Sequence, residues 1–416
     1  MEIRRDAYVQ ELLRKRGNGM VKVVTGLRRS GKSYLLRNLF RRQLLLLGVT
    51  EPQIVEVAFD ERDSQPLCDP DAFCDYAKSR LAQNPDCVFL LDEIQFLRDF
   101  ESVLNSLLGK GAEVYVSGSN ARFLSREVIT EFRGRGDEIH VMPLSFAEFF
   151  GFYQGDKYSR LQEYMLYGGL PPVCLASTPA DKIALLDSLF TETYIRDIVG
   201  RHRLRKAEEL EELLDVLSSN IGSLVNPEKL QRIFRSVAKS SITTGTIHRY
   251  LSYLEDAYLL EAARRYDVKG NAYIGTPQKY YYADLGLRNA RLHFRQLEEN
   301  HSMENVIYNE LRHRGFHVDI GVVSVNEKNA AGVYQRNQLE VDFVVNQGSR
   351  RYYIQSAFLM PDAEKRRQEI RPLLKIDDSF RKVIITSQGS SPWYDDHGVL
   401  TMNVYDFLLN PASLDF

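Results

Sequence analysis

The chain has 416 residues and a mass of 47.9 kDa, a length that predicts two or three domains. Hydrophobic residues make up 44% and charged residues 26%, which is the composition of a globular protein and excludes a disordered, collagenous or coiled-coil chain. The 54 basic and 56 acidic residues leave a formal net charge of -2. No global positive field therefore draws the protein to nucleic acid, and any such contact has to come from a local patch.

Cysteine usage and hydropathy indicate the compartment. The four cysteines form no CxxC pair, which argues against a disulfide framework or a zinc site and fits a reducing environment. The first residues carry no apolar signal core, and the longest apolar run, near residues 44–47, is far shorter than the ~20 residues that a membrane span needs. We expect a soluble, cytoplasmic protein without membrane contact.

The first 150 residues alternate strand and helix patterns. Short apolar runs predict strands at 21–25, 53–59, 87–91 and 112–116, and helical periodicity predicts helices at 33–47, 71–82 and 100–108. Short apolar strands between helices are typical of a parallel sheet that is covered on both faces.

Residues 26–33 read GLRRSGKS and fit the pattern G-x-x-x-x-G-K-[ST] between a predicted strand and a predicted helix. The glycines let successive backbone N–H groups turn inward, and the helix adds its positive end. Lys32 brings a charge to the β- and γ-phosphates, and Ser33 offers a hydroxyl to Mg²⁺. We predict a nucleotide-binding P-loop made of Gly26, Leu27, Arg28, Arg29, Ser30, Gly31, Lys32, Ser33 and Tyr34.

An apolar strand that ends in Asp92 and Glu93 predicts the second half of this site. Ligands of open α/β sheets bind at the carboxyl ends of the strands. We expect Asp92 to hold Mg²⁺ through water and Glu93 to orient or deprotonate the attacking water. The predicted catalytic residues are Glu93 and Lys32.

Two further groups are candidates for contacts with the nucleotide. Ser117 and Ser119 follow the fourth strand, where they either contact the γ-phosphate or the water, or simply cap a helix or turn. Arg133 and Arg135 either neutralise transition-state charge, in cis or from a neighbouring subunit, or are solvated surface arginines.

These motifs resemble the AAA-type ATPases of archaea and bacteria that pair a P-loop core with a C-terminal domain of unknown function. The resemblance extends over nearly the whole chain, and the matching segments are 25–33, 91–95, 116–119, 134–135, 143–149 and 167–171. It implies ATP rather than GTP as the nucleotide and Glu93 as the hydrolytic base. It also implies that Gly169 and Pro171, in the helical lid, line an adenine pocket.

The middle of the chain resembles a winged helix. Helices at 230–238 and 245–254 are followed by strands at 258–263 and 279–283, and the second helix presents Thr244, Thr246, His248 and Arg249. Residues 226–269 contain eight Lys or Arg against five Asp or Glu, and residues 201–206 (RHRLRK) form a denser basic run. We expect DNA as the partner, and the alternative is that this module packs on its own ATPase core or on a protein partner.

The last segment resembles the restriction-endonuclease-like fold, in which a helical acid, a strand Asp and a Glu-x-Lys bind a metal and activate water. Glu304 and Asp342 match the first two positions, but Gln355 and Ala357 stand where the acid and the lysine belong. We expect a degenerate nuclease site of Glu304, Asp342 and Gln355 without robust cleavage. The alternative for the two acids is helix capping and solvation of a strand end.

The sequence therefore predicts an α/β protein with four parts: an AAA-type P-loop core with a parallel sheet (1–155), a helical lid (156–222), a winged helix (223–290) and a restriction-endonuclease-like domain (291–416). The leading hypothesis is a Mg²⁺-dependent ATPase that couples ATP hydrolysis to the engagement of DNA. The alternatives are a nucleotide-gated sensor or scaffold that acts on another protein, and an ATP-driven nuclease. Homo-oligomerisation stays open.

Overall fold

The computed structural model describes residues 2–118, 136–204, 206–237, 241–328, 333–389 and 391–415. Cα packing divides the chain into two compact units. The first unit consists of Met1–Pro143, Leu170–Pro172 and Glu255–Leu259. The second unit consists of Leu144–Gly169, Val173–Leu254 and Leu260–Phe416.

The described strands of the first unit form a five-stranded parallel sheet in the order β2-β3-β4-β1-β5. This order places β1 between β4 and the edge strand β5. The sheet confirms the predicted parallel α/β core. The strands are β1 (Val21–Thr25), β2 (Ile54–Ala58), β3 (Val88–Asp92), β4 (Glu113–Ser117) and β5 (Gly136–His140).

Alternate residues of β1 enter the hydrophobic layers on opposite faces of the sheet. Val23 belongs to the cluster that contains Phe89 and Phe100, and Val24 belongs to the cluster that contains Leu36. Both faces are therefore covered, as expected for a parallel sheet. The helices are α1 (Asp6–Arg14), α2 (Lys32–Tyr34, continued by a π-helical turn at Leu35–Phe40 and by Arg41–Leu46), α3 (Pro70–Gln83) and α4 (Phe100–Gly109).

Side-chain caps begin several of the helices that follow β5 in the chain. Ser145 forms a capping box with Glu148, and Asp156 accepts a hydrogen bond of 2.8 Å from the backbone of Ser159. No helix of the described ranges is long and apolar enough to cross a membrane. The helices that follow β5 in the chain are α5 (Phe146–Tyr153), α6 (Lys157–Tyr167), α7 (Pro171–Cys174), α8 (Pro179–Ser188, continued by a π-helical turn at Leu189–Ile195), α9 (Arg196–His202) and α10 (Ala207–Ser219).

The two helices predicted as a helix-turn-helix are α11 (Pro227–Val237) and α12 (Thr244–Asp256). The antiparallel pair β7 (Leu260–Asp267) and β8 (Ala272–Tyr282) follows, and the short strand β6 (Leu224–Val225) pairs with β8. The helices and strands of the predicted winged helix are therefore present, while its assignment as a winged helix stays a prediction. The later helices are α13 (Leu285–Arg291), α14 (Glu299–His313), α15 (Ala363–Leu374) and α16 (Val404–Leu409).

The described strands of the second unit form one nine-stranded sheet in the order β13-β14-β12-β11-β10-β9-β7-β8-β6. Strand β7 pairs with β8 on one side and, in parallel, with β9 on the other. The sheet thus runs across residue 290, where the sequence predicts a domain boundary. The remaining strands are β9 (His317–Lys328), β10 (Tyr334–Gln347), β11 (Arg350–Ala357), β12 (Arg381–Thr386), β13 (Trp393–Tyr394) and β14 (Val399–Asn403).

Asp284 holds together two segments of the second unit that are distant in sequence. Its carboxylate caps α13 by accepting from the backbone N–H of Leu287 at 3.2 Å, and it accepts from the N–H of Gly169 at 2.7 Å. A Cβ atom on Gly168, which has φ 76°, would lie 2.1 Å from the same carboxylate. Buried Asp284 therefore satisfies two backbone donors and requires glycine beside it.

We expect Asp284→Ala to lower the free energy of unfolding by about 2–4 kcal/mol, because the variant lacks the cap and leaves the N–H of Gly169 buried without its acceptor. Urea denaturation measures the change. The matched control is Asp156→Ala, which removes an exposed cap and costs about 1 kcal/mol. Equal losses in the two variants would contradict the role assigned to Asp284.

Candidate active site

The loop between β1 and α2 turns on two glycines with positive φ. Gly26 has φ 131°, and a Cβ atom on it would lie 2.2 Å from the carbonyl oxygen of Val141. Gly31, which precedes α2, has φ 97°. Glycine adopts such conformations without strain. The backbone therefore makes the tight strand-to-helix turn that a phosphate-binding loop requires.

Lys32, the first residue of α2, has a buried ammonium that is surrounded by oxygen atoms. Its Nζ donates hydrogen bonds of 3.0 Å to the carbonyl oxygens of Gly26 and Leu27. Burial lowers the pKa of Lys32 to about 8. The carboxylates of Glu93 and Asp92 favour the charged form and oppose this shift, but burial has the larger effect. Phosphate oxygens bind an ammonium more strongly than neutral carbonyl oxygens do. A phosphate can thus replace the loop carbonyls as the partner of Lys32.

The other loop residues present a mixture of buried and accessible groups. The Oγ of Ser30 is buried without a hydrogen-bond partner among the described residues, which is uncommon for a hydroxyl. Ser33 is partly exposed, while Arg28, Arg29 and Tyr34 are exposed. The unpartnered hydroxyl of Ser30 and the buried ammonium of Lys32, which belong to the same P-loop, can both bind phosphate oxygens. The accessible hydroxyl of Ser33 can bind Mg²⁺. The residues of this loop therefore fit a nucleotide with its metal ion.

Asp92 is the last residue of β3, Glu93 follows it, and both are bonded to Ser117 of β4. The Oγ of Ser117 donates to Asp92, and the backbone N–H of Glu93 donates to the same Oγ at 3.1 Å. Glu93 has φ 51°, a conformation that is rare outside glycine and that clusters at functional sites. Its carboxylate accepts from the amide of Gln95. Ser117 is fully buried and orients this acidic pair, while its predicted contact with a phosphate or water stays a prediction.

Pro171 and Gly169 have different surroundings. The Cγ of Pro171 lies 3.6 Å from the position of a Cβ atom on Gly31, so Pro171 lies beside the P-loop. Gly169 is enclosed by main chain, because its carbonyl accepts from the N–H of Leu144 at 2.8 Å and its N–H donates to Asp284. A Cβ atom there would lie 2.5 Å from the carbonyl oxygen of Leu144. The geometry explains glycine at position 169 by packing, and its predicted contact with adenine stays a prediction.

Three predicted contributors to the nucleotide site lie outside the described residues: Ser119, Arg133 and Arg135. Arg205 of the basic run does so as well. Their roles stay predictions.

Arg5, in the N-terminal segment, supports the P-loop. It belongs to none of the sequence motifs. Its guanidinium donates to the carbonyl oxygens of Met142 at 2.7 Å and Ser30 at 3.2 Å, and it lies over the ring of Tyr8 at 4.6 Å. Arg5 is buried, so these contacts replace its water. No sequence pattern distinguishes this arginine from the others, because its partners are distant in the chain.

A second buried cluster joins β8, β10 and α14 in the second unit. The Nζ of Lys279 lies 2.9 Å from Glu304 and 2.8 Å from Glu340, and the hydroxyl of Tyr281 donates to Glu304 at 2.6 Å. Burial opposes the charged form of Glu304, but Lys279 and hydrogen bonds hold its pKa below the usual range. The sequence does not single out Lys279, because this lysine lies on a strand of the predicted winged helix.

Asp342 on β10 lies within electrostatic reach of the same cluster, and Gln355 lies on the neighbouring strand β11. Asp342 accepts from the backbone N–H of Ser356 at 2.8 Å. Burial, together with the negative charge of Glu304, raises the pKa of Asp342 well above its usual range. The Oε1 of Gln355 is buried without a hydrogen-bond partner among the described residues. The structure therefore places Asp342 within electrostatic reach of Glu304 and adds Lys279, whose positive charge acts on both carboxyl groups.

His202 and Lys206 of the basic run contact α12 and the residues just before it; α12 is the second helix of the predicted helix-turn-helix. The ring of His202 stacks on Tyr253, with 3.5 Å between the centroids and 10° between the planes. Lys206 donates to the Oγ of Ser241 at 3.3 Å, and its carbonyl accepts from the hydroxyl of Tyr250 at 3.5 Å. Two features that are separate in sequence thus form one surface. Its exposed basic residues and histidine are Arg201, Arg203, Lys206, His248 and Arg249.

A parallel sheet with a P-loop after β1 and two carboxylates after β3 defines a P-loop nucleotide-binding protein. The family model described as "AAA domain" matches residues 18–150, and the model described as "Domain of unknown function (DUF8612)" matches residues 158–298. An uncharacterised protein of Haemophilus influenzae is 32% identical over 414 residues, which are 98% of each chain. An uncharacterised protein of Methanocaldococcus jannaschii is 26% identical over 93% of this chain and 85% of its own. The chain belongs to the family of AAA-type P-loop ATPases.

Two solved structures are similar at low sequence identity. The Orc1 protein of Aeropyrum pernix in complex with DNA is 13% identical, with a TM-score of 0.30, and the match covers 70% of this chain and 93% of that chain. Cdc6p of Pyrobaculum aerophilum is 13% identical, with a TM-score of 0.29, and the match covers 70% of this chain and 95% of that chain. At these TM-scores neither likeness supports an argument about function.

We expect Lys279→Met to lower the free energy of unfolding by about 3–5 kcal/mol, because removal of one partner leaves buried carboxylates uncompensated. Adding Glu304→Gln should recover part of the loss, since the unpaired charge is then removed. Urea denaturation measures both. The matched control is Lys365→Met, which breaks a more exposed pair with Glu369 and costs at most about 1 kcal/mol. A loss no larger than that of the control would contradict the cluster's role.

Proposed function

We propose that the protein binds ATP with Mg²⁺, hydrolyses ATP and uses the nucleotide cycle to control its engagement of DNA. The position of Lys32 carries the proposal. Its ammonium is bonded to neutral carbonyl oxygens of the loop after β1, which a phosphate can replace, and it lies within the electrostatic influence of Asp92 and Glu93 at the end of β3. Ligands bind at this edge of open α/β sheets. Membership of the AAA-type family supports ATP as the nucleotide.

Different residues of the site would bind different parts of the nucleotide and its metal ion. Lys32 would leave the carbonyl oxygens of Gly26 and Leu27 and place its charge at the β- and γ-phosphates. Ser33 would offer its hydroxyl, and Asp92 its carboxylate through water, to Mg²⁺. Pro171 would contact the nucleotide beside Gly31. The bound nucleotide supplies the phosphoanhydride bond that water cleaves.

Glu93 is the proposed general base. Its carboxylate is partly exposed, and its backbone is fixed by Ser117 while its side chain is held by Gln95. A carboxylate oriented in this way can accept a proton from the attacking water. Arg133 and Arg135 remain the proposed sources of positive charge for the transition state, in cis or from a neighbouring subunit.

DNA is the proposed partner because one surface combines the basic run with α12. Arg201, Arg203 and Lys206 are exposed on the segment whose His202 stacks on Tyr253 of that helix. His248 and Arg249 are exposed on the helix itself. Basic side chains beside the second helix of a helix-turn-helix suit phosphates and base edges. We propose that α11, α12, β7 and β8 act as a winged helix.

A second candidate function is a nucleotide-gated sensor or scaffold that hydrolyses ATP slowly and acts on another protein. The observation that favours it is the buried Lys279 cluster, because carboxylates that are paired with a lysine suit a structural role better than a metal site. Cleavage of DNA is not part of either proposal, because the carboxylates of Glu304 and Glu340 are bonded to Lys279. The steady-state ATPase rate with and without DNA distinguishes the two candidates. We place either activity in the cytoplasm, in line with the free cysteines of the described residues.

We expect Glu93→Gln to retain ATP binding and to lower kcat for ATP hydrolysis by about 10²–10⁴-fold, because the amide keeps the shape of the side chain and loses its basicity. Lys32→Ala should instead lose tight ATP binding, since no charge then meets the phosphates. Calorimetric ATP titration and steady-state phosphate release separate the two effects. Equal turnover by Glu93→Gln and the unmodified protein would assign the base to another residue.

We expect the simultaneous replacement of Arg201, Arg203 and Lys206 by Ala to weaken DNA binding and to flatten its salt dependence, by about 0.9 in log–log slope for each phosphate that is no longer neutralised. A fluorescence-anisotropy titration of duplex DNA at several salt concentrations measures both quantities. In the matched control, three exposed basic residues of the first unit, Arg4, Lys78 and Arg98, are replaced by Ala. An unchanged slope in the first variant would exclude this surface as the one that binds DNA.

A further inference from the structure

Glu255–Leu259 packs as part of the first unit, although the chain on both sides of it belongs to the second. The segment contains the last two residues of α12 and ends immediately before β7. It is therefore the direct covalent link between the second helix and the first strand of the proposed winged helix. A link of this kind transmits any change in its own packing to both of its neighbours.

Tyr258 is the strained residue of this segment. It has φ 56°, a conformation that is a genuine outlier for a bulky side chain and that persists only when its surroundings hold it. Its ring packs on the ring of His140 with 4.7 Å between the centroids. Its hydroxyl is buried, and burial together with the nearby charge of Glu138 raises the pKa of Tyr258. The surroundings that hold Tyr258 are thus contributed by β5.

The same surroundings lie beside the start of the P-loop. The Oγ1 of Thr25 donates to Glu138 at 2.6 Å and lies 3.2 Å from the Nδ1 of His140. The carbonyl of Thr25 accepts from the N–H of Val141 at 2.9 Å, and the carbonyl oxygen of Val141 packs against Gly26. Two residues near Tyr258 are therefore next in sequence to residues at the first glycine of the P-loop. Thr25 of β1 precedes Gly26, and His140 of β5 precedes Val141, whose carbonyl oxygen packs against Gly26.

We propose that Tyr258 is a positioning residue that couples nucleotide binding at the P-loop to α12 and β7. An adjustment of Thr25 and Gly26 on nucleotide binding changes the packing that holds Tyr258 in its strained conformation. The relaxation of Tyr258 then changes the start of β7 and the end of α12, the helix on which His248 and Arg249 are proposed to contact DNA. This inference rests on the proposed ATP binding, and coupling of this kind is reciprocal, so DNA alters ATP affinity by the same factor.

Hydrogen exchange with and without ATP tests the coupling in protein that carries Glu93→Gln, which prevents turnover. We expect ATP to change exchange at residues 255–259 and on both sides, at 244–254 and 260–267. In Tyr258→Gly, which relieves the strain and removes the ring, ATP should still bind while the changes at 244–254 and 260–267 disappear. Tyr258→Phe keeps the ring on His140 and should retain them.

The matched control is Asn271→Gly, which relaxes another residue of positive φ in the turn between β7 and β8 and should leave the response to ATP unchanged. The second readout is the ratio of the DNA dissociation constants with and without ATP. We expect a ratio in the range of about 5–150 for coupled sites in the unmodified protein and below about 2 in Tyr258→Gly. If Tyr258→Gly unfolds, Tyr258→Asn is used in its place, because asparagine tolerates positive φ and also lacks the tyrosine ring.

The outcomes separate this proposal from the proposed function. Failure of the unmodified protein to bind ATP would overturn both. ATP binding without any change of exchange at 244–254 and 260–267 would overturn only the coupling. Tyr258→Gly that binds ATP and retains those changes would overturn it as well, because a merely structural tyrosine alters stability and leaves the response to ATP in place.

Discussion

A buried cation has to be surrounded by oxygen atoms, because the loss of its hydration costs more free energy than one contact returns. This constraint organises both units. In the first, fully buried Lys22 of β1 pairs with Glu113 of β4. In the second, fully buried Arg288 of α13 donates to the carbonyl oxygen of Ser218 at 2.8 Å. Each of these cations joins segments that are distant in sequence, so the cores depend on pairings that a local pattern does not reveal.

The two buried lysines of the candidate sites satisfy the same constraint with different oxygens. Lys32 is bonded to two neutral carbonyls of its own loop, which are weak competitors for an ammonium, and burial lowers its pKa. Lys279 is bonded to two carboxylates, which compete strongly. The first arrangement suits a lysine that exchanges partners with a ligand, and the second suits a permanent structural link.

The sequence predicts the strands β1 to β4 to within one or two residues, because each is an uninterrupted apolar run between helices. It does not predict β5, an edge strand with the sequence GDEIH whose charged side chains need no burial on one side. The P-loop and the acidic pair are predictable because a phosphate requires fixed local spacing. Arg5, Lys279 and Tyr258 are not, since their roles arise only when β-strand pairing and loop packing bring remote segments together.

The parallel pairing of β7 with β9 has a consequence for how the second unit folds and evolves. Both edges of β7 are occupied, so its backbone groups are satisfied only when strands from both sides of residue 290 are in place. A fragment that ends near residue 290 would carry an open, unpaired strand edge, which favours aggregation. Unfolding of the strands on either side of residue 290 would therefore leave β7 with one unpaired edge. Neither part can be exchanged without rebuilding the hydrogen-bond ladder that it shares with the other.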